Sequence, residues 1–92
     1  MEIIELDGAR LCSRGEAMMR LGEALELPEW WGRNLDALHD CLTELGRPVR
    51  LELADRSAMT ASAFGRRLLR VLEDAARENP YLELEEEDGP RL

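Results

Sequence analysis

The chain predicts an α/β fold built on a parallel sheet, and three observations carry that prediction. Short β-prone runs alternate with helical periodicity in the order strand, two helices, strand, helix, strand. Each return between strands is long enough to hold a helix, which requires parallel pairing through right-handed crossovers. The later strand candidates alternate apolar and charged residues, so helices are expected to cover mainly one sheet face. With 92 residues there is room for one domain spanning 1–92, and 45% hydrophobic residues are too many for a disordered chain.

Taken in order, Glu2 to Leu6 is a β-prone run stopped by Asp7-Gly8, with nothing strand-like at hairpin distance, so its partner comes later. Ser13 and Glu16 fit a capping box, followed by Ala17, Met18, Leu21 and Leu25 at helical spacing, so a first helix runs to about Leu25. Glu26 to Arg33 is a connection holding Pro28, Gly32 and the pair Trp30-Trp31, two of four aromatic side chains. Asn34 is a good N-cap for a second helix that reaches about Leu45, where Gly46 can turn left-handed and Pro48 blocks continuation. Val49 to Leu53 alternates as a half-buried strand. Thr60 can cap a third helix with Ala61, Phe64, Leu68, Val71, Leu72 and Ala75 on one stripe, ended by Asn79-Pro80. A last strand spans Tyr81 to Glu85, and Glu86 to Leu92 reads as a solvated, flexible acidic tail.

Twelve basic residues against 20 acidic ones leave a formal net charge of −8, which opposes phosphate backbones and anionic lipid surfaces. Neither direct nucleic-acid binding nor membrane association is expected, and the natural partner is cationic. The start Met1-Glu2-Ile3-Ile4-Glu5 lacks the basic and apolar regions of an export signal, so a cytoplasmic location is expected. Cys12 and Cys41 have no metal-site spacing and read as two reduced thiols.

The second helix carries the sharpest signal. At about 100° per residue, Leu35, Leu38, Leu42 and Leu45 fall on one arc, while Asp36, Asp40 and Glu44 form a row opposite. Acids at this spacing repel one another by about 0.2–0.5 kcal/mol per neighbouring pair, and no Lys or Arg on the helix relieves them. His39 and Thr43 border the row, and the Trp30-Trp31 loop leads into it. Such a surface would fit a cationic groove made for phosphates, with carboxylates in phosphate positions and indoles in place of a stacked base. The plain alternative is a solvated face with one Trp sealing the helix entrance. Adjacent side chains in a loop rarely bury in one pocket, so at least one Trp should look outward.

The segment Leu27-Pro28-Glu29-Trp30-Trp31-Gly32-Arg33-Asn34-Leu35-Asp36-Ala37-Leu38-His39-Asp40-Cys41-Leu42-Thr43 closely resembles the barstar family of intracellular inhibitors of the secreted ribonuclease barnase. The rest of the chain before the tail agrees in length and element order. The resemblance implies a three-stranded parallel sheet packed with three to four helices, in which the second helix and its preceding loop plug a ribonuclease active site. It implies that Asp40 takes the place of a substrate phosphate among the nuclease's basic residues and catalytic histidine. Asn34, Asp36 and Thr43 match other contact positions, Trp30 and Trp31 stand where the family has tyrosines, and Asp74 stands where a contacting glutamate is expected. Arg47-Pro48 lies where the family can carry a cis proline. His39 in place of a contacting tryptophan, Arg33 in place of an acid, and a shortened Glu44 to Arg47 stretch depart from the pattern and edit the presumed interface, to which Glu44 is expected to contribute.

An enzyme would need a nucleophile or an acid/base pair in a cleft, whereas the single histidine, His39, has Asp36 and Asp40 beside it on an exposed helix face. Neither catalysis, nor a metal at Asp36, His39 and Asp40, nor a cofactor is expected. The expected partner is a basic microbial ribonuclease, most simply guanyl-specific, bound one-to-one by a monomer. The rival is a family-like module or antitoxin that turns the same face to a different basic protein.

Overall fold

Three short strands, Glu2–Asp7 (β1), Val49–Ala54 (β2) and Leu82–Glu86 (β3), pair in the order β1-β2-β3, both pairs parallel, in a computed structural model that describes residues 1–89. The register sets Glu2 against Val49 and Asp7 against Ala54, then Val49 against Leu82 and Leu53 against Glu86. Four helices fill the connections: Arg14–Ala24 (α1), Leu35–Thr43 (α2), Arg56–Thr60 (α3) and Ala63–Glu78 (α4), with a 3-10 turn at Gly8–Arg10.

Alternation along the strands does the sorting. Ile4, Leu6, Val49, Leu51, Leu53 and Leu82 turn inward and are buried with Leu21 of α1, Leu38 and Leu42 of α2, Met59 of α3, and Leu68 and Leu72 of α4. On the opposite sheet face Ile3, Glu5, Glu83 and Glu85 are exposed and Arg50 and Glu52 half-buried, so one side of the sheet carries the core and the other meets water. Arg50 links that outer face by a 3.0 Å hydrogen bond to Glu83, its cross-strand neighbour.

The helix boundaries follow the periodicity with instructive exceptions. Ser62, not Thr60, caps the long helix: its Oγ accepts the Gly65 N–H at 2.8 Å, and a Cβ at Gly65 would stand 2.3 Å from the Met59 carbonyl oxygen. Thr60 instead closes α3, donating its hydroxyl to the Ser57 carbonyl at 2.9 Å. Ser13 precedes α1 without a side-chain cap bond, and Glu16 turns forward to pair with Arg20 at 3.0 Å rather than back. Neither half of the capping box therefore forms. All described peptide bonds are trans, Arg47-Pro48 among them.

The expected tail is tied down over its described part. Glu86 ends β3, and the Glu87 N–H donates to the Leu53 carbonyl at 2.8 Å. The Glu87, Asp88 and Gly89 carbonyls then accept from the Arg56, Ser57 and Asp55 N–H groups at 2.8, 3.3 and 2.8 Å. The stretch thus satisfies the free donors at the start of α3, a task usually left to a side chain. Residues 90–92 of the expected tail lie outside the described residues.

Candidate functional site

The leucines of α2 point where the periodicity puts them. Leu38 and Leu42 are fully buried, while Asp36, Asp40 and Glu44 are exposed, the Asp40 side chain to 77%. Asn34 starts the helix by accepting the Ala37 N–H at 2.8 Å, and its Nδ2 donates to the Gly32 carbonyl at 3.3 Å. Both polar ends of that expected contact residue thus serve local structure.

The far end of α2 is held by a residue whose role the sequence does not reveal. Asn79, at the end of α4, is 4% exposed, and its Nδ2 donates to the Leu42 and Leu45 carbonyls at 2.9 and 3.0 Å. Its Oδ1 accepts the Tyr81 N–H at 3.0 Å, so the whole amide is satisfied. The left-handed Gly46 expected to end the helix is absent: among the described glycines only Gly32 has a positive φ. A buried side-chain amide takes the carbonyls that a glycine cap would have turned.

The loop before α2 begins where α1 ends. Leu27 N–H donates to the Gly22 carbonyl at 2.9 Å and Glu26 N–H to that of Glu23 at 3.2 Å, the two bonds of a Schellman cap, with Glu26 left-handed at φ 54°. Gly32 and Arg33 also have positive φ, 94° and 51°. The two tryptophans part company on this frame. Trp30 is 84% exposed, whereas Trp31 is 6% exposed, with its indole lying over Gly22, where an added Cβ would come within 3.1 Å of Nε1. Trp31, expected as a contact, is therefore a core residue that supports the loop from beneath. Behind the loop, a groove of about 600 Å3 runs along α1 past Met18, Met19, Leu27 and Trp31, away from the acids of α2.

Helix α4 lies beside α2 and extends the acidic row. His39 Nε2 is bonded to Glu78, and its Nδ1 stands 3.9 Å from an Asp40 carboxylate oxygen. The hydrogen bond to Glu78, with the negative charges of Glu78, Asp40 and Asp74, holds the imidazole above its usual 6.5, against partial desolvation that pulls it down. Asp74 is paired with Arg77, which mutes its charge. Glu78 is the member of this group that sequence reasoning missed; its signal is the i, i+4 spacing from Asp74. Thr43 donates its hydroxyl to the His39 and Asp40 carbonyls at 3.0 and 3.1 Å, as a helix residue. Burial, then Glu44 and Asp40, push the Cys41 thiol up and keep it protonated.

The negative charge is unevenly placed. Asp36 shares a cleft with Arg14 and Arg67, though no arginine pairs with it among the described residues. Towards the other end, Asp40, Glu44 and Glu78 stand near the negative end of the α2 dipole, and no described arginine pairs with any of them. The result is a carboxylate ridge with a projecting indole on the loop that feeds it. No group of three or more His, Cys, Asp or Glu is arranged to hold a metal among the described residues.

A family model described as "Barstar (barnase inhibitor)" matches residues 1–90, almost the whole chain. No curated protein matches it.

Proposed function

The chain belongs to the barstar family, and from that premise we propose that it inhibits a basic microbial ribonuclease by seating the α2 ridge in the nuclease's phosphate-binding cleft. The observation that carries the reading is Asp40, which is 77% exposed, lies in the middle of the carboxylate row and has no arginine partner among the described residues. A carboxylate crowded by others of its kind, with only the His39 ring beside it, adds little to the fold and much to a cationic groove. Glu44 and Asp36 flank it, and Trp30 offers a flat apolar surface to whatever borders the cleft.

The inhibitor acts as a monomer in the cytoplasm, one copy to one nuclease of the guanyl-specific kind, and has no catalytic activity of its own. Two features move the partner away from barnase itself: a ring at position 39 that is engaged with Glu78, and a guanidinium at Arg33 just before the helix cap. Another secreted ribonuclease of the same class fits that edited face.

The test is inhibition of several guanyl-specific ribonucleases at low and high salt. Association should slow by about tenfold or more as salt screens the opposed charges. Asp40→Ala should weaken binding by about 2 kcal/mol or more, the size of an interface hot spot. Thermal unfolding of the same variant should stay within about 0.5 kcal/mol of the parent, as at an ordinary surface site. Failure to inhibit any ribonuclease, together with capture of a basic protein that is not a nuclease, would decide for the rival interaction module.

A further inference from the structure

His39 stands at the seam of α2 and α4 and meets carboxylates from both. Glu78 bonds its Nε2, Asp40 faces its Nδ1, and Asp74 lies one turn before Glu78 on α4. Arg77, the other charged residue lining this cleft, is committed to Asp74. The imidazole side chain is one-third exposed, at 33%, so it exchanges protons with water while remaining close to its neighbours. Its bond to Glu78 is not what locates α2, since Asn79 and the buried leucines do that.

We propose that His39 is a proton-operated control on the acidic face: protonated, its ring occupies Glu78 and Asp40 and cancels part of their charge, and deprotonated it leaves both carboxylates to a cationic partner. The inference rests on the reading that this face receives a basic ribonuclease, and it adds how that affinity is regulated. The sign follows from linkage. In the free protein the surrounding carboxylates favour the imidazolium, so the ring stays charged above its ordinary range. A docked partner brings positive charge beside Asp40, opposes the imidazolium and expels its proton. Binding therefore weakens as pH falls through the free protein's His39 transition, by at most about tenfold per pH unit for one proton.

Two measurements on the full chain test this. Imidazole NMR titration should place the His39 transition above 6.5 in the parent, and Glu78→Gln should lower it. Binding is then followed from pH 5.5 to 8 for the parent and His39→Gln, with two probes: barnase, and a hexa-arginine peptide whose guanidinium groups do not titrate in that range. The parent should lose affinity towards acid more steeply than His39→Gln with the peptide, and likewise with barnase if it binds. A transition unmoved by Glu78→Gln, or equal slopes for parent and His39→Gln with the peptide, would overturn the proposal. A His39-dependent slope with the peptide, beside no binding of any ribonuclease, upholds the proton control and rejects the ribonuclease reading.

Discussion

Trp30 and Trp31 are neighbours in the chain with opposite surroundings, one in solvent and one in the core. Trp31→Ala removes an indole seated against Gly22 of α1 and should lower unfolding stability by about 3–5 kcal/mol in denaturant titration. Trp30→Ala should leave stability within about 0.5 kcal/mol and show its effect in partner binding alone. Asn79→Ala should be as telling as the first of these. It strips a hydrogen-bonded donor from the Leu42 and Leu45 carbonyls and should cost about 2 kcal/mol, with faster amide exchange in the last turn of α2. The tryptophan pair is visible in the sequence, but its division of labour is not, because the deciding surface is a glycine on another helix. Asn79 likewise reads as the end of a helix, and only packing shows that it also ends a second one.

At the scale of elements, three helices announce themselves by apolar stripes, and α3 does not, since Arg56–Thr60 is too short to repeat a period. That is why Thr60 looks like the cap of the long helix when Ser62, two residues on, is the residue in extended backbone. Ser62→Ala should cost about 1 kcal/mol, whereas Thr60→Ala should cost less. The C-cap of α1 offers the converse change. Glu26 holds a left-handed conformation that glycine adopts without steric penalty, so Glu26→Gly should raise stability by about 0.5 kcal/mol, part of the gain being offset by the freer unfolded chain. Thermal unfolding of the variants would check both. The acid row of α2 was fully legible, because spacing alone sets which residues share a helix face. The i, i+4 spacing of Asp74 and Glu78 puts them on one face of α4, but that this face meets α2 is a property of packing that the spacing does not carry.

Across the whole molecule, the acidic side chains behind the net charge of −8 are spread over exposed surface, including the outer sheet face and the α2 ridge, which dilutes their mutual repulsion. Parallel pairing follows from the order of elements, and the structure matches it strand for strand. The docking of Glu87 to Gly89 on α3 could not be foreseen, since most of its bonds end on backbone carbonyls, with the Ser57 hydroxyl and the Arg56–Asp88 pair added, and no local side-chain pattern encodes them. Ending the chain after Glu86 should cost about 2 kcal/mol and speed amide exchange at Asp55, Arg56 and Ser57, as hydrogen-exchange mass spectrometry would show. The Asn79 anchor also has a bearing on biosynthesis. It reaches Leu42 across 37 residues of sequence, so a nascent chain leaving the ribosome carries its acidic helix well before the amide that pins it. The acidic ridge is thus translated early and set in place late, and a message cut short before residue 79 would yield a helix with the same charges but without the amide that closes its last turn.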